Sequence, residues 1–241
     1  MLTNNPRFWK NTWERHLTGY LSSPPRTGIF ISTRFNKRIQ TILEIACGSS
    51  RDSVYLAKKN YFVTATDFDE NTIEYLKSRF INPHLKYVVA DAFHLPFMDN
   101  QFDLVFHNGF FILFENNNDI IKLLKEQARV SNKYILILIH NQNNKNLLDI
   151  FSEKRKSDPL YDVRFFTVNE IMSIIKHSGI KTKNIKILKF GNRFDILYSE
   201  NIGQHIPNIF FKHREKIVPF LYQFELWKNT ERIACLIELN K

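Results

Sequence analysis

From Gln40 onward, short β-branched runs alternate with amphipathic stretches. Thr41–Ala46 (TILEIA), Tyr61–Thr66 (YFVTAT), Leu85–Ala90 and Phe102–Phe106 read as strands, and Tyr134–Ile139 (YILILI) is the most apolar of them. A run that is apolar at every position fits a strand covered on both faces. Ile185–Phe190 and Glu231–Leu239 complete a set of seven. Between the strands, polar and apolar positions recur at helical spacing over 51–60, 70–80 and 118–130. Asp69 is the expected N-cap of the second of these helices, and Asn82-Pro83 its stop. Thr167 with Glu170 forms a capping-box pattern for a further helix that reaches His177 and closes on Gly179. Strands alternating with helices predict an α/β fold, a doubly wound, mostly parallel seven-stranded sheet.

Two segments stand outside that alternation. In residues 1–35, Trp9, Trp13 and either His16 or Leu17 share one helical face, and Pro24-Pro25 separates this stretch from the core. Arg7, Lys10, Arg15, Arg26 and Arg34 add positive charge around it. It reads as an N-terminal helical arm or lid, and residues 36–241 as the main domain. An aromatic-rich insertion falls at about 191–230, carrying Phe194, Tyr198, Phe210, Phe211, Phe220, Tyr222, Phe224 and Trp227.

The chain has 241 residues and a formal charge of +10, and its first 40 residues hold seven Lys/Arg against one Glu. The length suits one domain with a cap. A basic excess can mark a nucleic-acid or phosphate partner, although 24 Asn against 7 Gly also reveals a general compositional drift. The apolar runs are far too short to cross a bilayer, and the N-terminus has no apolar secretory core. Cys47 and Cys235 lie far apart without CxxC spacing, which excludes a disulfide framework and a cysteine-based zinc site, and makes a reducing cytoplasm the expected location. No metal site is expected.

In a doubly wound sheet, ligands bind beyond the carboxyl ends of the strands. Three carboxylates fall there at near-equal intervals: Glu44, Asp67 and Asp91. An acid ending the second strand suits the two hydroxyls of a ribose. Asp91 can accept from an exocyclic amine, and Phe68 offers an adenine a face. Together they describe an adenosine site.

The stretch from ILEIACGSSRDS through TATDFDE to VVADAFHLPF and FHNGFF resembles the class I S-adenosylmethionine-dependent methyltransferases, of the small-molecule type. The resemblance is specific from about Ile42 to Asn108. It implies S-adenosylmethionine as cofactor, held by Glu44, Ala46 and Gly48 of the first loop, by Asp67 and Phe68, by Asp91 and Ala92, and by His107 near the methionine end. Ser50 departs from the family pattern, since glycine is usual there. A dinucleotide fingerprint or a P-loop would need glycines and a Lys-Ser/Thr that this loop lacks.

Methyl transfer from a sulfonium needs alignment of donor and acceptor more than it needs acid or base. Where a base is required, His107, His140 and His16 are the candidates. Trp9, Trp13, Asn108 and Phe110 are expected to contact the acceptor, with the insertion helping to wall the pocket. The sequence His107-Asn108-Gly109-Phe110 lacks the Asn/Asp-Pro-Pro-aromatic tetrad used on base and glutamine amides, so a small acceptor, anionic or aromatic, is expected. The second reading is an RNA or protein acceptor engaged by the basic arm, with nucleic acid disfavoured. The third is a cofactor-binding module without catalysis. No membrane partner is expected.

Overall fold

A computed structural model describes residues 6–35, 38–199 and 207–241. Seven strands form one sheet: β1 (Thr41–Ile45), β2 (Phe62–Asp67), β3 (Leu85–Val89), β4 (Phe102–Asn108), β5 (Ser131–His140), β6 (Thr182–Phe190) and β7 (Arg232–Leu239). Their order across the sheet is β3-β2-β1-β4-β5-β7-β6. The pairs among β1–β5 are parallel, and β7 runs antiparallel to both β5 and β6. The doubly wound, mostly parallel sheet expected from the alternation is therefore the observed fold.

β5 shows why residues 134–139 form an apolar run. Leu136 and Leu138 join Ile42, Leu104 and Phe106 on one face, while Ile135, Ile137 and Ile139 join Leu123, Ile171 and Ile233 on the other. All eleven are fully buried. The helices α1 (Pro6–Ser22), α2 (Arg26–Phe35), α3 (Arg51–Lys58), α4 (Glu70–Arg79), α5 (Asn117–Val130), α6 (Lys145–Lys154), α7 (Val168–Ser178), α8 (Asn208–Lys212) and α9 (Arg214–Leu221) flank the sheet or extend from it. Local capping fixes several of them. Asp69 accepts from Thr72 N–H at 3.0 Å at the start of α4, and Thr167 with Glu170 closes the expected capping box on α7.

The N-terminal stretch divides at Pro24-Pro25. α2 is part of the main core: Ile29, Phe30, Ile31 and Phe35 pack with Leu56 and Ile42. α1 instead lies over the carboxyl ends of the strands, where Trp9, Trp13 and Tyr20 line the same cavity as the loop after β1. The antiparallel direction of β7 matters for the site. It places Arg232, the strand's first residue, directly opposite His140, the last residue of β5. The ladder thus brings two residues distant in sequence to the same end of the sheet, on the same face.

Candidate active site

The loop after β1 turns sharply, with left-handed backbone at alternate residues: Ala46 (φ 51°), Gly48 (φ 50°) and Ser50 (φ 54°). Only the middle one is glycine, and the reason is visible. A Cβ on Gly48 would stand 2.4 Å from the Trp13 indole, so this loop and α1 approach as closely as they do only without a side chain there. Ser50 adopts the conformation that glycine would take in its place, at a cost of about 1–2 kcal/mol for a residue bearing a Cβ.

Asp67 ends β2 and braces the loop. Its Oδ2 accepts from Gly48 N–H at 2.9 Å and its Oδ1 from Asp69 N–H at 3.2 Å. Burial pushes its carboxyl up to about 6, against those two stabilising hydrogen bonds. Glu44 accepts a short hydrogen bond from Ser53 Oγ. Burial, with the Asp52 carboxylate nearby, pushes Glu44 up to about 8. Asp91 is exposed and holds its own turn through Phe93 N–H at 2.9 Å and His94 Nδ1 at 3.0 Å.

These residues line one cavity of about 470 Å³. One end carries Glu44, Ala46, Gly48, Asp67, Phe68, Asp91 and Ala92, which is the cofactor set expected from the sequence apart from His107. Trp9, Trp13, Asn108 and Phe110 also line it, together with His140. The residues fit an adenosyl group. Phe68 is 38% exposed and presents a free face. The Asp67 carboxylate keeps lone pairs beyond those used by Gly48 and Asp69.

Two histidines expected at the site are elsewhere. His107 is fully buried and does not line the cavity. Its Nδ1 accepts from Phe110 N–H at 3.2 Å and its ring lies 4.2 Å from Phe111, because this position of β4 faces the core rather than the strand end. His16 also misses the cavity, and its Nε2 lies 2.8 Å from Asp158 Oδ2, tying α1 to the segment after α6. Only His140 of the three lines the cavity. Burial, with Arg232 adding to it, pushes His140 down to about 3, so the ring is neutral across the physiological range.

The insertion at 191–230 is a further correction. None of its described residues lines the cavity. Tyr198 and Tyr222 are buried in the core, while Phe210, Phe220 and Phe224 are exposed. Residues 200–206 of the insertion lie outside the described residues, as does the side chain of Arg7 in the arm.

The acceptor end is instead walled by the link between β5 and α7. Phe151 of α6, with Leu160, Tyr161 and Val163, faces the cavity. His140 stacks on Phe165 at 5.1 Å and meets Phe151 edge-on at 4.8 Å, and Phe151 meets Tyr161 at 5.2 Å. The sequence carries a signal for α6: Asn144 caps it by accepting from Leu147 N–H at 3.1 Å, and Leu147, Leu148 and Phe151 recur at helical spacing. Arg232 and Glu231 have no local signal at all, since they are ordinary residues at the start of an apolar strand.

A buried polar chain runs behind this wall. Asp52 Oδ2 accepts from Asn108 Nδ2 at 3.3 Å, and Asn108 Oδ1 accepts a short hydrogen bond from Arg232 Nη1. Arg232 Nε donates to Glu231 Oε1 at 3.1 Å. Arg26 donates to both Glu231 oxygens, at 2.7 and 3.0 Å, and to Asp195. Burial alone would raise Glu231, but Arg26 and Arg232 outweigh it and hold its carboxyl well below the usual range. Gly191 permits the arrangement, because a Cβ there would sit 2.8 Å from Glu231 Oε2.

Comparison with known proteins agrees with this fold. Residues 43–136 match the model of a methyltransferase-domain family. A 2-phytyl-1,4-naphtoquinone methyltransferase of Trichormus variabilis is 33% identical over 114 residues, 43% of this chain and 48% of that protein. A demethylmenaquinone methyltransferase of Corynebacterium glutamicum is 36% identical over 93 residues, 38% of this chain and 37% of that one. The matches span less than half the length of these relatives. Among solved structures, an S-adenosylmethionine-dependent methyltransferase from Thermotoga maritima superposes with a TM-score of 0.62 at 15% identity, over 100% of both chains. One from Archaeoglobus fulgidus gives 0.57 at 16% identity, over 88% of this chain and 94% of the other. Residues 43–136 thus carry a methyltransferase domain, set on a Rossmann-like sheet. Among the described residues, no helix is long and apolar enough to cross a membrane.

Proposed function

We propose that this chain is an S-adenosylmethionine-dependent methyltransferase acting on a small, planar acceptor. One observation carries the reading: a single cavity joins the strand-end carboxylates to an aromatic pocket closed over by α1. When bound, S-adenosylmethionine supplies an activated methyl group for in-line displacement by the acceptor. The chain's own residues bind, align and exclude water. Asp67 would accept from the ribose hydroxyls, Phe68 would cover the adenine, and Asp91 with Ala92 would meet its edge. Glu44 and the Gly48 loop would hold the methionine end.

At the other end, Trp9, Trp13, Phe110, Phe151 and Tyr161 offer flat apolar surface, which suits a ring and favours its orientation over a binding mode set by hydrogen bonds alone. The relatives named for naphthoquinone and menaquinone methylation support a ring as acceptor. His140, neutral and at the cavity wall, can orient a bound hydroxyl by accepting its hydrogen bond, but with its ring pushed down to about 3 it is a poor proton acceptor. A cytoplasmic setting goes with the reading, since Cys47 and Cys235 are both free and buried.

The test uses S-adenosylmethionine labelled on its methyl group, incubated with the protein and a cell extract split into small-molecule and macromolecular fractions. Label should appear in a small product, and Asp67→Ala should abolish it. Label in RNA or protein would overturn the acceptor class. Absence of transfer despite cofactor binding would leave a binding module.

A further inference from the structure

The acceptor end of the cavity contains a cation that the methyltransferase reading does not use. Arg232 is held on two sides, by Asn108 through Nη1 and by Glu231 through Nε. Its Nη2 makes no hydrogen bond to any described residue, and the side chain lines the cavity at 15% exposure. A guanidinium fixed on two of its edges presents the third in a preset direction, which lowers the entropic cost of engaging an oxyanion. Directly across the β5–β7 ladder lies His140, 4% exposed, with a buried Nδ1 that has no partner among the described residues. The walls beside this pair are the rings of Phe151, Tyr161 and Tyr20.

We propose that Arg232 is an anchor for a carboxylate carried by a planar acceptor, so that the enzyme takes aromatic acids rather than neutral rings. The inference rests on the methyltransferase reading of the same cavity. Arg232 acts here as a specificity and positioning residue. Its Nη2 receives the carboxylate at the edge of the ring, and the ring lies between the aromatic walls. The Arg26–Glu231 pair behind it fixes the guanidinium from below. Glu231 and Asp195 match Arg26 and Arg232 in charge, so an incoming anion is drawn by the open Nη2 edge of Arg232 rather than by unbalanced charge in the chain. The other charged groups at this end are Arg51, whose guanidinium sits 5.5 Å over the Tyr20 ring, and Asp52, which faces Asn108. Arg51 adds attraction for an anion. Asp52 is separated from the cavity cation by the Asn108 amide.

Benzoate and its neutral isostere benzamide are the probes, titrated into wild-type protein saturated with S-adenosylhomocysteine. The expected result is at least tenfold tighter binding of benzoate, together with a shift of the His140 ring resonances at neutral pH, read by imidazole NMR, on adding benzoate but not benzamide. Arg232→Gln should erase the preference while leaving S-adenosylhomocysteine affinity within about threefold, and Arg232→Lys should restore part of it. Equal affinity for the two probes in wild-type protein, or binding of neither, overturns the proposal. A preference that survives Arg232→Gln also overturns it. A loss of S-adenosylhomocysteine affinity in a folded Arg232→Gln protein would assign the arginine to the cofactor's own carboxylate, again against the proposal. The His140 readout needs no variant, so the result stands even where Arg232→Gln fails to fold. Failure of wild-type protein to bind S-adenosylhomocysteine would instead sink the methyltransferase reading beneath it.

Discussion

At one end of the cavity, buried carboxylates stand on contiguous strand ends: Glu44 near the end of β1 and Asp67 at the end of β2, both pushed up by burial. At the other end, His140 is pushed down and Arg232 is held in a chain of ion pairs. The first end is poised to receive hydroxyls and a positively charged ligand, because either would stabilise acids that are costly to ionise alone. The second is poised to receive electron density. A donor bearing positive charge and an acceptor bearing negative charge would so be drawn to opposite ends of one space. The two ends also differ in construction. The acidic end is built from residues near each other in sequence, whereas the basic end is assembled from positions 26, 108, 140, 195, 231 and 232.

That contrast can be broken most severely at Arg26. Arg26→Ala removes one guanidinium from two partly buried carboxylates, Glu231 and Asp195, whose side chains are 24% and 20% exposed. A stability loss of about 3–5 kcal/mol is expected, measurable by urea unfolding, with S-adenosylhomocysteine affinity largely kept in the folded protein. A loss below about 1 kcal/mol, the scale of an exposed ion pair, would show that the chain of pairs is not what holds this end.

Asp67→Ala attacks the opposite end. It should leave ribose hydroxyls without their acceptor and cost about 2–4 kcal/mol of cofactor binding. It should also leave the buried Gly48 and Asp69 N–H groups without their acceptor, so the apo protein should lose about 1–3 kcal/mol of stability. Trp13→Ala tests the join between the ends. Trp13 is half-buried and lies against Gly48, so a loss of about 2 kcal/mol of stability is expected, at the low end for a truncated aromatic. If α1 instead works as a mobile lid, the melting temperature should stay and only turnover or the acceptor's KM should change. Ser50→Gly is the smallest. Release of left-handed strain, offset by a more flexible unfolded chain, should stabilise by about 1 kcal/mol or less and preserve cofactor affinity.

The same asymmetry explains what can be read from the sequence. The sheet is legible because its strands carry their own signal: residues 135–139 of β5 are apolar at every position since both faces are covered there. The carboxylates of the candidate cofactor end are legible because Glu44, Asp67 and Asp91 each lie at or just past the end of a strand, and strand ends can be located from pattern alone. His107 misleads for a related reason. It lies one residue short of the end of β4, and that single step turns its side chain into the core. Arg232 cannot be found this way, because its role depends on the antiparallel pairing of β7 with β5, which no local pattern reveals. α6 does carry a readable cap and spacing. The insertion misleads because aromatic content indicates burial or contact without saying against which surface.

The most direct test of the account is the pH dependence of S-adenosylhomocysteine binding, measured by calorimetry at about pH 7.5 and about pH 5, on either side of the Asp67 transition. Asp67 releases its proton near 3.8 as an ordinary aspartate and near 6 in the folded protein. The native state therefore holds the proton more tightly, and this group's contribution to stability is present at low pH and lost as pH rises from about 3.8 through about 6. A ligand whose hydroxyls donate to the carboxylate favours the ionised form and reverses that preference. Binding should be tight at the higher pH with little proton release from Asp67, which is already ionised there, and should weaken by about tenfold at the lower, where only about a tenth of Asp67 is ionised before binding and close to one proton is released. Asp67→Asn should bind weakly at both values with no such slope. An affinity that is equal at the two pH values, or no binding heat at either, would contradict the assignment of the strand-end carboxylates as the cofactor site.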